Sequence, residues 1–244
     1  MIAQTLVHRW PGAPGGGTDQ PVYDAVFEAV LDQRLAPGTR LTEASLAELF
    51  GVSRTIVRMA LLRLAHDHIV VLKPNHGASI ARPTPDETRA VFEARRMLEC
   101  AALPAVVAHA NARQLDNLRA LVRQEDGAFH AGEIRSWIRL SGEFHRRLIA
   151  LAGNPVVLRY VHELVTRSLL MSALYLRPAQ TSCATDEHLA LLDAVAARDE
   201  RRAVRLMHAH LLAVEARLAL DRADAVPIDL ASALRPRLRR AAAR

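Results

Sequence analysis

Apolar residues recur at three- and four-residue spacing along most of the chain, which predicts a mainly α-helical protein. In the C-terminal half this period holds in six or seven segments, at about 86–109, 112–129, 133–152, 155–176, 184–198 and 200–221. Pro104 is expected to break or kink the first segment. Because no stretch of this half reads as a strand, we predict an all-helical bundle.

The pattern differs in residues 42–66, TEASLAELFGVSRTIVRMALLRLAH, which predict two helices joined by a tight turn. Thr42 and Ser53 are expected to cap the two helices, and Gly51 to end the first. The second helix buries one apolar face, and its outer face carries Arg54, Thr55 and Arg58 with no acidic residue between 51 and 66. Such a helix fits a DNA major groove. The alternative is a basic face that is only solvated.

Residues 23–35 predict a helix before this pair, ended by Pro37-Gly38. Residues 69–72 and 78–81 predict two strands after it. The Pro/Gly-rich tract PGAPGGG predicts a flexible N-terminal arm over residues 1–20. The prolines of RPTPDE indicate a linker at 82–87, and the Ala/Arg-rich residues 223–244 indicate a disordered basic tail.

Composition narrows the class of protein. The 244 residues suffice for two domains, and no apolar run approaches the ~20 residues of a membrane span. Cys100 and Cys183 lack metal-type spacing, and there is no signal-peptide pattern, so we expect reduced thiols in a cytoplasmic protein. The net charge is +6, but five arginines follow Asp229, and residues 1–82 hold eight basic and seven acidic residues. DNA binding therefore rests on the local face of the second helix.

The stretch GVSRTIVRMALLRLA resembles the GVSRTPVREALLRLA signature of GntR-family regulators, departing at Ile56 and Met59. LAPGTRLTEASLAELF resembles the segment before that signature, and KPNHGASI resembles the family's β-wing. The resemblance implies a winged helix-turn-helix domain over residues 21–82 that binds double-stranded DNA. The DNA contacts that it implies are Arg40, Ser53, Arg54, Thr55, Arg58 and, at the wing tip, His76 and Gly77.

Three histidines carry the candidate chemistry of the bundle. SGEFHRRL, DEHLALLDAV and LMHAHLLAV place His145, His188 and His210 on inward stripes of three helices, whereas His208 is expected on an exposed face. A single inward histidine is more often a hydrogen-bonded core residue than a ligand. Three converging neutral imidazoles suit a divalent metal such as Zn, Ni, Fe or Mn.

The segments EARRMLE, EFHRRLIALAGNPV, DEHLALLDAVAARD and AVRLMHAHL resemble the FCD effector domain of FadR-like GntR regulators, here over residues 83–222. The family's Asp and three His bind a metal that coordinates a small carboxylate effector. His145, His188 and His210 occupy the histidine positions. Ser141 stands at the Asp position, so the site should be weaker, keep its full charge and leave a position open to water or an anion.

Arg95 matches the arginine of the family's first bundle helix and is the candidate carboxylate clamp, alongside Ser141 and the three histidines. The alternative for Arg95 is an internal pair with Glu99 or Glu143. For the histidines, the alternative to a metal is a metal-free pocket in which they hydrogen-bond the effector directly.

The sequence thus predicts a transcription regulator, with a repressor favoured, that binds a pseudo-palindromic operator as a homodimer and responds to a small organic acid. A metal-responsive regulator, with the histidines as the sensor, is the alternative. An enzyme with a metal-activated water is disfavoured, because no carboxylate lies within one turn of the histidines on their inner stripes.

Overall fold

The computed structural model describes residues 17–73, 77–175, 185–219 and 230–234, and the chain divides into two compact units. The first unit combines Met1–Arg82 with Ala223–Arg244, and the second is Pro83–Arg222. The mainly helical class with a small sheet in the N-terminal unit, predicted from the apolar spacing, is confirmed.

The first unit is a winged helix-turn-helix. Its elements up to residue 80 are α1 (Gln20–Leu31), β1 (Arg40–Leu41), α2 (Glu43–Phe50), α3 (Arg54–His66), β2 (Val70–Lys73) and β3 (Gly77–Ile80). α3 packs on α1 and α2, burying Val57, Ala60, Leu61 and Leu64. The opposite side of α3 stays exposed, which leaves its polar side chains available to a partner.

The helix pair has the predicted termini. The Thr42 hydroxyl accepts the Ser45 N–H at 3.1 Å, and the Ser53 hydroxyl accepts the Ile56 N–H at 3.3 Å. Gly51 ends α2 with a φ of 63°. The end of α1 was predicted wrongly: the helix stops at Leu31, and Gln33 turns the chain with a φ of 56° without help from glycine or proline.

The wing is an antiparallel sheet with strand order β1-β3-β2. The two predicted strands are present, and β1 adds a third that pairs Leu41 with Ala78. Gly77 has a φ of 76°, and a Cβ at this position would lie 2.5 Å from the Leu41 carbonyl oxygen. The position therefore requires glycine for close backbone packing, whatever else it contacts.

The second unit is a bundle of six helices in its described part, and strands are absent from that part. They are α4 (Pro85–His109), α5 (Ala112–His130), α6 (Ile134–Ala150), α7 (Pro155–Tyr175), α8 (Thr185–Ala196) and α9 (Glu200–Ala216). Thr84 caps α4, a capping box of Asn111 and Gln114 starts α5, and Asp199 caps α9. α4 runs unbroken through Pro104, so the predicted break is absent.

Helix packing connects all six helices of this unit. α4 packs against α7 and α9, α5 against α6 and α8, and α8 against α9. Large apolar side chains such as Phe92, Leu103, Phe144 and Leu148 are fully buried between them. The predicted inward stripes of α6, α8 and α9 therefore meet in the interior of the bundle.

A tenth helix, α10 (Leu230–Leu234), lies in the segment that composition indicated to be disordered. It belongs to the first unit and packs on α1, with Ala233 and Leu234 buried. In the described residues no helix is both long enough and apolar enough to cross a membrane. Cys100 is a free thiol, and Cys183 lies outside the described residues.

Candidate functional site

The predicted DNA-binding residues of the first unit share one side of the winged domain. Arg54, Thr55 and Arg58 on α3, Ser53 before it and Arg40 on β1 are all exposed. Arg40, Arg54 and Arg58 line an open pocket with a volume of about 760 Å³. Its lining residues are Arg40, Thr42, Glu43, Arg54, Arg58, Leu61, Leu62, Leu72, Lys73 and Gly77. His76, the other predicted wing-tip contact, lies outside the described residues.

Arg58 is held in place by Glu43. Its Nε and Nη2 donate to the two carboxylate oxygens of Glu43 at 2.8 and 2.9 Å. The hydrogen bond and the charge of Glu43 raise the pKa of Arg58, and those from Arg58 lower the pKa of Glu43. A guanidinium fork binds guanine edges or phosphates in the same geometry as it binds this carboxylate.

Arg63, near the end of α3, has a different environment. Its guanidinium lies 4.6 Å from the Tyr23 ring centroid and donates to the buried Asp19 at 2.6 Å. The Tyr23 hydroxyl in turn donates to Asp67 at 2.5 Å. These contacts join α3 to α1, so Arg63 stabilises the domain.

In the second unit, His145 of α6, His188 of α8 and His210 of α9 converge. Nε2 of His210 lies 3.1 Å from Nε2 of His145 and 3.3 Å from Nε2 of His188. All three side chains are buried, and their ligand atoms lie within 4.8 Å of one another. Two nitrogens bound to one tetrahedral Zn at about 2.0–2.1 Å would be roughly 3.3 Å apart.

Each of these histidines is oriented by a glutamate on its other ring nitrogen. Nδ1 of His145 lies 2.6 Å from Glu99, Nδ1 of His188 lies 2.8 Å from Glu125, and Nδ1 of His210 lies 2.6 Å from Glu187. A carboxylate at Nδ1 fixes the proton there and leaves the lone pair on Nε2. Phe144 also stacks on His188, with ring centroids 4.0 Å apart.

Burial keeps the rings of His145 and His210 neutral. Burial lowers the pKa of His145 to about 3 and that of His210 to about 4, against the opposing effect of their glutamates. Burial alone would raise the pKa of Glu99, but Arg95 and His145 outweigh it and hold that pKa at about 2. Burial would also raise the pKa of Glu187, but His210 and Arg217 outweigh this effect and lower that pKa. Neutral imidazole is the form that binds a metal.

The arrangement fits a cation between the Nε2 atoms. Three lone pairs that face one another cannot hydrogen-bond among themselves, so their separations of 3.1 and 3.3 Å call for a positive group between them. Glu99 and Glu187 have Arg95 and Arg217 as charged partners, whereas Glu125 is fully buried and its Oε1 has no hydrogen-bond partner among the described residues. A metal on His188 would offset the charge of Glu125 through the ring.

A small cavity of about 40 Å³ adjoins His145 and His210. Its lining residues are Arg95, Trp137, Ile138, Ser141, Gly142, His145, Ser168, Leu169, Ser172, His210, Val214 and Arg217. Since one water needs about 10–15 Å³ by the same measure, the cavity holds about three waters or one small polar group.

Arg95 presents one free edge at this cavity. Its Nε donates to Glu99 at 2.7 Å and its Nη1 to Ser168 at 2.9 Å, while Nη2 is buried with no hydrogen-bond partner among the described residues. The internal pair with Glu99 is thus present. Glu143 instead contacts Arg146 and Arg147.

Comparison with known proteins identifies the chain. A model described as "FCD domain" matches residues 90–213, and one described as "Bacterial regulatory proteins, gntR family" matches residues 18–80. The chain belongs to the GntR family and carries an FCD domain. This confirms both resemblances drawn from the sequence, and it makes the chain a DNA-binding transcription regulator.

Individual relatives agree with this assignment. The HTH-type transcriptional repressor RspR of Escherichia coli (strain K12) is 24% identical over 201 residues, which are 81% of this chain and 87% of that protein. The HTH-type transcriptional regulator YdhC of Bacillus subtilis (strain 168) is 29% identical over 147 residues, 59% of this chain and 66% of that one. The structure of E. coli McbR/YncC is similar in fold, with a TM-score of 0.67 at 22% identity, over 79% of this chain and 92% of that chain.

In this GntR/FCD chain, sequence reasoning located the three histidines, Arg95 and Ser141 but missed the three glutamates. Glu187 is adjacent to His188 in the chain, but its carboxylate contacts His210 and Arg217. The missed signal was a carboxylate on an apolar stripe: Glu125 follows Leu118, Leu121 and Val122 on the buried face of α5. His208 is exposed, as predicted.

Proposed function

We propose that this GntR-family regulator binds double-stranded DNA in the cytoplasm as a homodimer, and that a small carboxylate effector changes its affinity for DNA. The effector would bind beside a divalent metal held by His145, His188 and His210. The observation that carries this proposal is the convergence of three Nε2 atoms, each on a ring anchored by a buried or half-buried glutamate. Similarity to RspR, a transcriptional repressor, favours repression.

DNA recognition rests on α3. Two copies of this helix in a homodimer would enter successive major grooves of a pseudo-palindromic operator. Arg54 and Arg58 would bind guanine edges or phosphates, Thr55 and Ser53 a base or phosphate, and Arg40 a phosphate. His76 and Gly77 would bring the wing near the minor groove. To bind DNA, Arg58 exchanges Glu43 for a nucleic-acid acceptor.

The three histidines would hold the metal through Nε2, while the glutamates at Nδ1 fix the orientation of the rings. A bound divalent metal supplies a Lewis-acid position at which a carboxylate oxygen can bind. Ser141 is neutral, so it leaves that position open and adds a hydroxyl to the cavity wall. Arg95 would donate its free Nη2 edge to the effector carboxylate.

Coupling to DNA would pass through α4. Arg95 and Glu99 lie on this helix, which begins at Pro85, three residues after the N-terminal segment of the DNA-binding unit ends at Arg82. An effector shifts DNA binding only if its affinity differs between the DNA-competent and incompetent arrangements. The contact between Arg95 and the effector would supply this difference if it forms more fully in one arrangement than in the other.

Native mass spectrometry of the purified, untagged protein, with and without chelator, tests this proposal. We expect a dimer with one metal per subunit, lost on chelation and absent in His188→Ala. A dimer free of metal before chelation, after purification in metal-supplemented buffer, would overturn the metal site. The histidines would then be hydrogen-bonding groups of a metal-free pocket, to be examined by thermal-shift screening with small organic acids.

A metal-responsive regulator is the second candidate, and the small size of the cavity favours it, since about 40 Å³ leaves little room beyond the metal's own ligands. Titrating metal into the chelated protein at a fixed concentration of organic acid separates the two functions. DNA affinity that follows metal alone supports the sensor, whereas DNA affinity that changes only when acid is added supports the effector mechanism.

A further inference from the structure

Trp137 on α6 carries an indole N–H that has no hydrogen-bond partner among the described residues. The side chain is 6% exposed, and its Nε1 atom is buried. The ring packs near Phe129, with ring centroids 5.5 Å apart, but phenylalanine provides no oxygen or nitrogen that could accept from Nε1. An indole N–H can only donate, and a buried tryptophan usually finds an acceptor. Trp137 therefore calls for an acceptor from outside its own helix bundle.

The cavity beside His145 and His210 contains a second donor of this kind. Trp137 and Arg95 both line this space, from α6 and α4 respectively. Nη2 of Arg95 is also buried, and within the part of the chain that the structure describes it has no acceptor. Two unsatisfied donors on one cavity wall are costly unless a bound molecule or water accepts from them. A carboxylate held by Arg95 and a metal satisfies the first donor, so Trp137 requires a further acceptor.

Helix α6 sets the order of these groups along the cavity. Trp137, Ser141 and His145 recur every four residues, so they lie on the same side of the helix. Trp137 is thus two helical turns before His145, with Ser141 between them. An effector whose carboxylate lies at the His145 end would meet Trp137 with the atoms beyond that carboxylate.

We propose that Trp137 is a specificity-determining residue, whose Nε1–H donates to an oxygen of the effector outside the carboxylate at Arg95. The inference rests on the proposed effector function and names the class of effector: a small acid with a second oxygen acceptor, in the form of a hydroxyl, a keto group or another carboxylate. A cavity of about 40 Å³ limits this acid to a few carbons.

The selectivity comes from the donor that a wrong ligand leaves unpaired. A simple alkanoate displaces the water that can satisfy Nε1 and places a methyl group there instead, whereas a hydroxy acid of equal size restores the hydrogen bond. A site built to hydrogen-bond a ligand hydroxyl discriminates strongly against an analogue that lacks it. Trp137 would therefore exclude alkanoates that Arg95 and a metal alone would accept.

Two pairs of acids of equal size test this selectivity. Glycolate and propionate differ by a hydroxyl in place of a methyl group, and 3-hydroxypropionate and butyrate differ in the same way one carbon further from the carboxylate. Isothermal titration calorimetry on the full chain, purified in metal-supplemented buffer, measures all four affinities. We expect the hydroxy acid of at least one pair to bind about tenfold or more tightly than its alkanoate. Equal affinities within both pairs would overturn the proposal.

Two variants separate the indole donor from other sources of selectivity, such as a ligand hydroxyl that binds the metal. Trp137→Phe keeps an aromatic ring but removes the N–H, so the preference should fall to about twofold or less. Phe129→Leu changes the packing around the same indole and keeps its donor, so the preference should remain. If the preference survives Trp137→Phe, it belongs to another group and Trp137 has no such role.

A second measurement uses the unaltered indole, so it does not depend on the stability of Trp137→Phe. The chain has two tryptophans, and Trp10→Phe identifies which indole signal of the ¹⁵N–¹H spectrum belongs to Trp137. We expect the hydroxy acid, and not its alkanoate partner, to move this signal downfield as Nε1 gains an acceptor. Identical shifts with both acids would contradict the proposal. Binding of none of the four acids would count against the proposed effector function and this inference together, whereas binding without preference counts against Trp137 alone.

Discussion

The two units each contain an arginine–glutamate pair, and the two pairs have opposite physical settings. Arg58 and Glu43 form a fork on the surface, with 66% and 24% of their side chains exposed. Arg95 and Glu99 are 5% and 0% exposed. An exposed pair contributes little to stability and exchanges easily, whereas breaking a buried pair leaves an uncompensated charge. The first pair can therefore open at little cost, as the proposed DNA contact of Arg58 requires, and the second fixes the positions of His145 and of Arg95 Nη2.

The largest expected effect comes from removing a buried histidine. In His188→Ala, Glu125 would lose its contact with Nδ1 of His188 and any offset to its charge, so we expect metal binding to be lost and the free energy of unfolding to fall by about 3–5 kcal/mol. Metal analysis and chemical denaturation measure both. His208→Ala, an exposed histidine two residues before His210 on α9, is the matched control and should change neither. Full metal occupancy in His188→Ala would contradict the three-histidine site.

Removing the surface arginine should affect only DNA. We expect Arg58→Ala to weaken binding to the operator by about ten- to hundredfold, because it removes one guanidinium contact to a base or phosphate. Metal stoichiometry and effector affinity should stay unchanged. Arg123→Ala removes the same charge from an exposed position on α5 and serves as the control. Loss of both DNA binding and effector binding would contradict the assignment of these two functions to separate units.

A third change strengthens the buried site. Ser141→Asp places a carboxylate at the position where the family has one, so we expect metal affinity to rise by about tenfold or more, or roughly 1.4 kcal/mol. Competition with a chelator of known affinity measures it. Ser141→Asn has a similar size without the charge and should give no such gain. An equal affinity in Asp and Asn variants would show that residue 141 does not reach the metal.

The smallest expected effect concerns the exposed pair of Arg58 and Glu43. Glu43→Gln removes the carboxylate that holds Arg58, so we expect affinity for DNA of unrelated sequence to rise by a few-fold, with a weaker preference for the operator. Glu48→Gln removes the same charge from an exposed position on α2 and controls for net charge. If both variants behave alike, Glu43 acts only through its charge and not by holding Arg58.

Local sequence rules predicted what is local in this structure. The caps Thr42 and Ser53, the left-handed Gly51 and the six bundle helices follow from side-chain chemistry and spacing within a few residues. β1 was missed because two residues are too few to show an alternating pattern. The end of α1 was misplaced because Gln33 adopts a left-handed turn without the usual glycine.

In the candidate site, too, local features were predicted and contacts between distant residues were missed. Inward stripes predicted which histidines face the core, because each stripe belongs to one helix. The glutamates were missed because their partners lie on other helices, 46, 63 and 23 residues away in the chain. Only the folded bundle brings such residues together. The two interpretations of Arg95, an internal pair with Glu99 and a carboxylate clamp, do not exclude each other. Its guanidinium is large enough to form the internal pair and still present Nη2 to the cavity.

If the three histidines hold a cation, Glu125, which is buried with one carboxylate oxygen unpaired among the described residues, would link the supply of that ion to the lifetime of the folded protein. A cation that binds only the native bundle stabilises it by RT ln(1 + [M]/Kd), or about 2.7 kcal/mol at a hundredfold excess over Kd. Without the cation, a buried negative charge opposes folding. The fraction of chains exposed to proteases at any moment then falls as the ion becomes abundant, so the amount of regulator would change with the ion even when its affinity for DNA does not.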